Sequence, residues 1–210
     1  MPPAPPHASI PKVSELPLVI ETPRLRLRPF TERDVDELWP YVSDPALPRY
    51  MSWAAHTDRA ETVAFVRDRT QAIANGTDVT WAIEHEGRVA GSVSLDSIRW
   101  SIRALRVDRA ELGYWIAPPL WGQGLMTEAA HAVTRWGFDT LGLHKIMVGC
   151  LEVNTGSRRV IEKVGFRFLC RMEEDMWRDG QWHAHLRYEL TITEWSDVAR
   201  TMRFSKPHPT

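Results

Sequence analysis

The segment that most restricts the fold of this chain runs from Arg109 to Val153. RAELGYWIA (109–117) reads as a strand, which Pro118 and Pro119 cut off. A bare Gly122-Gln123-Gly124 follows. A helix then carries Met126, Ala129, Ala130, Val133 and Trp136 on one face and fades near Gly142. KIMVGCLEV (145–153) is a continuous apolar run, the pattern of a strand buried on both faces. Strand, helix and strand together have the length of a parallel βαβ crossover, which a hairpin turn could not connect.

The surrounding chain predicts antiparallel pairing. RLRLRPF (24–30) alternates like a strand with one wet face, and Thr31-Glu32-Arg33-Asp34 reads as a capping box opening a helix through Asp36, Leu38 and Trp39. Residues 44–57, with Pro45 and Pro48, read as a loop. A helix from Asp58 to about Ala74 ends at Asn75-Gly76. DVTWAIEHEG and RVAGSVSLDSI form a hairpin around Glu86-Gly87, followed by a polar, irregular stretch. Beyond the crossover, Asn154 caps a helix through Val160, Ile161 and Val164, ended by Gly165. RFLCRMEEDMWR and QWHAHLRYELTI pair through Asp179-Gly180. The order β-α-α-β-β-β-α-β-α-β-β makes the class α+β with a mixed sheet. Residues 18–200 read as one domain, behind a Pro-rich segment 1–17 expected to be extended or disordered and before a tail at 201–210.

Composition excludes several classes. Lys+Arg 26 against Asp+Glu 27 gives a formal charge of -1, so no sequence-wide basic footprint for nucleic acid or an anionic membrane exists. No apolar run reaches the ~18 residues of a membrane span, and MPPAPPHASIPKVSELP lacks the basic start and apolar run of a secretory signal. Cys150 and Cys170 both sit in apolar strand-like runs, and two unpaired buried thiols suit a reducing cytoplasm.

The glycine loop carries the first chemical signal. The first amides of a helix lack intrahelical partners, and the dipole adds positive character there. A phosphate can therefore bind without a lysine, and glycines let the backbone approach its oxygens. The amides of Gly122, Gln123, Gly124, Leu125 and Met126 are the candidate donors, with Thr127 next in line. A P-loop would need Gly-Lys-Ser/Thr after Gly124, and a dinucleotide fingerprint a third glycine at Thr127. Alone, the loop is equally compatible with a tight turn.

ELGYWIAPPLWGQGLMTEA, followed by NTGSRRVIEKVGF, resembles the GCN5-related N-acetyltransferase (GNAT) superfamily, in the branch that acetylates N-termini of ribosomal proteins (RimJ/RimL type). The likeness runs from about Glu21 to Trp195. It implies a mixed, mostly antiparallel twisted sheet whose fourth and fifth strands splay apart, flanked by helices. Pantetheine would lie in the gap and pyrophosphate on the loop helix. The family loop is Gln/Arg-x-x-Gly-x-Gly/Ala; here Trp121 and Met126 hold the outer positions, and Trp121 departs from the family's polar residue.

The resemblance implies acetyl-CoA as co-substrate, with direct transfer to an amine in a ternary complex. The acceptor would be a protein N-terminus or a small molecule, and the assembly a monomer or homodimer. It places Glu111 as base or water-positioning group, the backbone around Trp115 and Ile116 at the thioester oxygen, Asn154 on the pantetheine amides and Ser157 near the sulfur. The tyrosine acid that many members carry seven positions after that asparagine is Ile161 here, which leaves Ser157 or water. Cys150, on the strand bordering pantetheine, reads as core rather than nucleophile. His183 and His185 share a strand face opposite Glu173, Glu174 and Asp175, but no third ligand has metal-site spacing, and no metal is expected. Trp53, Trp100 and Trp182 are candidates to line an acceptor pocket. A silent acyl-CoA-binding module would keep the loop and Asn154 and need no Glu111.

Overall fold

The computed structural model describes residues 11–201. The strands are β1 (Ile20–Glu21), β2 (Arg26–Pro29), β3 (Val79–His85), β4 (Arg88–Ile102), β5 (Leu105–Ile116), β6 (Lys145–Leu151), β7 (Arg167–Arg178) and β8 (Gln181–Thr191). The helices are α1 (Val35–Val42), α2 (Arg59–Asn75), α3 (Leu125–Asp139), α4 (Thr155–Val164) and α5 (Ile192–Thr201). One sheet has the order β1-β2-β3-β4-β5-β6-β8-β7, and its only parallel pair among the described residues is β5 with β6. This is the expected α+β class with its mixed, mostly antiparallel sheet. The splayed pair stands fifth and sixth in chain order, because the two-residue β1 precedes the strand read from the sequence as the first.

Local signals set most boundaries. The Thr31–Asp34 capping box is formed, opening a 3₁₀ turn that runs into α1. Asp58 caps α2 through Ala60 N, and Gly76 ends it at φ 71°. Glu86-Gly87 and Asp179-Gly180 turn their hairpins with positive φ at both residues, the geometry that matches the twist of the flanking strands.

Three expectations are corrected. The irregular stretch after residue 98 is the distal half of the β4–β5 hairpin, and register shifts between Asp96 and Arg99 and between Arg99 and Ser101 erase its alternation. β6 is buried on one face only: Ile146, Val148 and Cys150 are inside, whereas Lys145, Met147 and Gly149 are half-exposed. Cys170 is exposed rather than buried, since β7 is an edge strand along which almost every residue is exposed. The lead-in touches the domain at a few points between Val13 and Leu18. Val13 is buried, and the carbonyls of Pro17 and Leu18 accept from the indoles of Trp136 and Trp81.

Helices cover the two sheet faces unequally. α3 and α4 pack through Ala129, Val133, Trp136, Ile161 and Val164 into the larger apolar cluster. Trp136 meets Trp81 edge-on with ring centroids 5.0 Å apart. Gly137 lets α3 lie close against the sheet, because a Cβ there would lie 2.9 Å from Ile146 Cδ1 and 3.0 Å from Leu95 Cδ1. α1 and α2 cover the opposite face only over β2 to β5, in a second cluster with Phe30, Ala82, Val89 and Trp115. Over β6 and β8 that second face stays partly open. No helix among the described residues is long and apolar enough to cross a membrane.

Candidate active site

The β5–β6 ladder registers Arg109 with Lys145, Ala110 with Ile146 and Glu111 with Met147, and stops there. Both strands continue, β5 to Ile116 and β6 to Leu151, so their ends diverge into a gap. Unpaired strand backbone flanking a gap is open to an extended, amide-bearing ligand, as an added strand would be.

The glycine loop closes one end of this gap. Gly122 and Gly124 have φ 77° and 76°, a region that residues with a Cβ rarely adopt. The amides of Gly122 through Thr127 find no acceptor among the described residues; the first helical bond runs from Glu128 N to Gly124 O. Six consecutive amides without a protein acceptor at a helix start are an arrangement able to take an anion.

The structure adds an anchor that sequence reading missed. Glu128 is buried and takes Thr22 Oγ1 at 2.7 Å, Arg24 N at 2.9 Å and Arg24 Nε at 2.7 Å. Arg24 Nη1 in turn donates to Gln123 O at 2.9 Å. An arginine does stand beside the loop, with its charge committed to Glu128. Residues 104 apart leave no local pattern by which to find such a pair. Trp121 is explained as well: its Nε1 donates to Ile116 O at 2.7 Å and ties the loop to the end of β5. An indole donor thus does bracing work at this position, with the ring itself largely exposed.

The gap has two chemically distinct faces. On the α4 side, Asn154 caps the helix, its Oδ1 accepting from Ser157 N at 3.0 Å. The Ser157 hydroxyl meets Tyr114 Oη at 2.9 Å. Burial pushes the Tyr114 phenol above its ordinary range, so it stays protonated. Tyr114 was not singled out from the sequence. The usable signal was strand alternation, which puts Tyr114 on the face opposite Glu111. Cys150 lies on this side too, its thiol pushed up to about 11, chiefly by burial; a thiol held protonated is a poor nucleophile at neutral pH.

On the other side, Glu111 Oε1 accepts from Arg187 Nη1 at 2.8 Å, above a shallow cleft that includes Arg99, Arg109 and Met147. Trp115 is buried in the second cluster, its ring 6.3 Å from that of Trp53. Ile116 is buried, with its carbonyl occupied by Trp121. Asp96 leans over Gly113: a Cβ on that glycine would lie 2.8 Å from Asp96 Oδ2. Burial raises the Asp96 carboxyl above its usual range, and Ser94 Oγ donates to it at 2.8 Å. His183 and His185 belong to no group of three or more metal-ligating side chains among the described residues. Trp182 is exposed and stacks edge-on with Trp177, 5.4 Å away. Trp100 packs partly against the larger cluster.

Known proteins agree with this geometry. Residues 24–167 match the family model described as the acetyltransferase (GNAT) domain. The uncharacterized N-acetyltransferase YoaA of Bacillus subtilis is 25% identical over 164 residues, 77% of this chain and 90% of its own. The [ribosomal protein uS5]-alanine N-acetyltransferase of Escherichia coli is 33% identical over 85 residues, 40% of this chain and 44% of its own. Among solved structures, RimL, a ribosomal L7/L12 alpha-N-protein acetyltransferase in complex with coenzyme A, superposes with a TM-score of 0.75 at 23% identity, over 84% of this chain and 99% of its own. With the family model spanning most of the domain and the splayed pair in place, the chain belongs to the GNAT family of N-acetyltransferases.

Proposed function

We propose that the protein transfers the acetyl group of acetyl-CoA directly to a primary amine in a ternary complex, with a protein N-terminal α-amine as acceptor. The observation that carries this reading is the end of the β5–β6 ladder at Glu111–Met147, beside six free amides at the start of α3. Coenzyme A needs both features, an anion cradle for its pyrophosphate and open strand edges for its pantetheine amides. The uS5-alanine and RimL relatives support the choice of acceptor, and two unpaired thiols support a cytoplasmic setting.

In this reading Gly122, Gln123, Gly124, Leu125, Met126 and Thr127 hold the pyrophosphate through their amides. Asn154 and the free edge of β6 hold the pantetheine arm. Amides of β5 around Trp115 and Ile116 polarise the thioester oxygen, a preorganised arrangement that is often the largest catalytic contribution. Ser157, backed by the Tyr114 hydroxyl, faces the sulfur and supplies its proton as the thiol departs. Glu111 is held by Arg187 and orders the amine side. An α-amine, with a pKa near ~7.7–8.0, is partly neutral at working pH and needs little help to attack. No metal enters this scheme.

The test measures free thiol released from acetyl-CoA by the purified protein, with peptides of varied N-terminal residue and with polyamines and aminoglycosides. Turnover confined to peptides is the expected result. Turnover confined to small amines would move the acceptor to that class, where the structural neighbour MccE, a microcin C7 self-immunity acetyltransferase, stands as precedent (TM-score 0.75, 19% identity). Tight binding of coenzyme A without turnover on any amine would leave a silent acyl-CoA-binding module.

A further inference from the structure

β6 and β8 pair so that Met147, Gly149 and Leu151 share the amine-side face with Glu189, Arg187 and His185. His185 leans from β8 across Gly149 toward the gap. A Cβ on Gly149 would lie 2.5 Å from His185 Nε2, so the imidazole fills the space that a side chain would take on the strand bordering the gap. Its Nδ1 meets Asp175 Oδ2 at 3.1 Å. A carboxylate can only accept, which puts the ring proton on Nδ1 and the lone pair on Nε2. Nε2 has no hydrogen-bond partner among the described residues.

Asp175 reaches this ring through a distortion of its own strand. Met172 pairs with His185 and Met176 with His183, so β7 carries two more residues than β8 between the same two rungs. Glu174, inside this bulge, has φ 46°, an uncommon backbone for a residue with a side chain. Bulges of this kind re-aim a side chain, and here the side chain re-aimed is the carboxylate that fixes the imidazole tautomer.

We propose that His185, oriented by Asp175, is the group that takes the proton from the acceptor amine during acetyl transfer; the inference rests on the transferase reading above. The charged groups facing the ring are Asp175 from β7, Arg187 from its own strand and Glu111 from β5. Burial, with Arg187 second, holds the imidazole below its usual range, so it is neutral and able to accept at neutral pH. Glu111 is less suited to the task, because Arg187 already occupies its carboxylate.

In the step, the neutral amine forms its N–C bond to the thioester carbonyl carbon and the nitrogen becomes positive. Nε2 takes one proton from it. The C–S bond then breaks, its electron pair leaves with sulfur, and the thiolate takes a proton from the Ser157 side. His185 returns its proton to water and water returns one to Ser157, so that amine and acetyl-CoA give amide and free thiol with no other reactant.

The test is the pH profile of kcat/KM from pH 5 to 9, with acetyl-CoA and peptides beginning in Ala, Ser or Met, and with spermidine, for wild type, H185Q and D175N. Wild type is expected to lose activity toward low pH as Nε2 becomes protonated. H185Q is expected to fall by about 100-fold or more and to lose that acid limb, with coenzyme A affinity unchanged. D175N keeps the ring but frees its tautomer, so a smaller loss with the limb displaced to lower pH is expected. H185Q within about threefold of wild type with the same acid limb would overturn the assignment while leaving the transferase reading intact. If H185Q does not melt cooperatively, D175N decides, and an unmoved limb overturns it. Wild type that binds coenzyme A but transfers to none of these amines overturns both readings.

Discussion

Replacing Gly124 by valine separates backbone strain from ligand binding. Gly124 has φ 76°, and a Cβ there meets only Arg24 Nη2, at 3.7 Å, so the cost to folding is conformational rather than steric. A left-handed residue with a side chain costs roughly 1–2 kcal/mol, and a β-branched one falls at the upper end. For a chain of this size that is a fall in Tm of about 2–8 °C. Gly142 supplies the control, having φ 77° and nothing within 4 Å of its added Cβ, and it lies beyond the far end of α3. G142V and G124V should therefore lose similar stability. They should differ in binding. A valine that escapes strain at 124 turns the amides of Leu125 and Met126 out of the cradle, and each charge-assisted bond lost is worth about 1.5–3 kcal/mol. One such bond corresponds to a Kd for coenzyme A roughly 10- to 150-fold weaker, measured by calorimetry at a temperature where both variants are folded. Equal Kd values for G124V, G142V and wild type would refute the amide cradle, however much Tm falls.

Three further perturbations and one control test the supports of the site. Glu128→Ala leaves Arg24 and Thr22 without their buried acceptor, and should cost about 3 kcal/mol in chemical denaturation, the low end for breaking a buried pair because Arg24 keeps contact with water. Glu162→Ala, in an exposed pair with Arg158, should leave the midpoint unchanged. Asp96→Asn keeps the acceptor for Ser94 Oγ while removing a carboxyl whose folded pKa burial raises above 3.8. A raised carboxyl stabilises only in its protonated form, below its unfolded pKa, and that contribution is lost as pH rises through the folded value. D96N should therefore melt above wild type at pH 7, with the difference shrinking toward pH 4; a pH-independent difference would contradict the burial argument. Trp121→Phe removes the bond to Ile116 O and should lower Tm by about 1–6 °C, from roughly 0.5–1.5 kcal/mol for a neutral hydrogen bond.

The elements that the sequence exposed are those with local causes. The Thr31–Asp34 box, the Asp58 and Asn154 caps and the Gly76 and Gly165 stops each act within a few residues, and each lies where the pattern puts it. The glycine loop was legible for the same reason, since bare backbone ahead of a helix is written in the chain order. Long-range features were not legible. Arg24 finds Glu128 and Arg187 finds Glu111 only after the sheet has formed, and the Trp121 bond to Ile116, five residues back, follows no capping or turn pattern. The distal half of the β4–β5 hairpin was lost because register shifts break the two-residue period on which strand reading depends. β6 was read as buried on both faces because Met147 and Gly149 look apolar in sequence; one lines a cleft, and the other is small so that His185 can stand over it.

The two glycines beside the gap show how this sheet can do chemistry without a deep pocket. Gly113 on β5 lies under Asp96, and Gly149 on β6 lies under His185; a methyl group on either would collide with the side chain above it. Both lie on the amine-side face, whereas Tyr114 and Cys150, their neighbours in sequence, point to the α4 side with Ser157. Strand alternation thus divides the groups that we propose react. In the proposed reaction an acceptor approaches over the glycines, among charged side chains, and a thiol departs on the other side, beside the half-buried hydroxyls of Tyr114 and Ser157. Attack and departure at one carbonyl need different surroundings, because a nitrogen must lose a proton while a sulfur gains one. A closed ladder would place backbone between these two surroundings. The divergence of β5 from β6 beyond Glu111–Met147 removes that barrier, so in the proposed reaction the same interruption that would admit pantetheine would also let both faces reach one thioester.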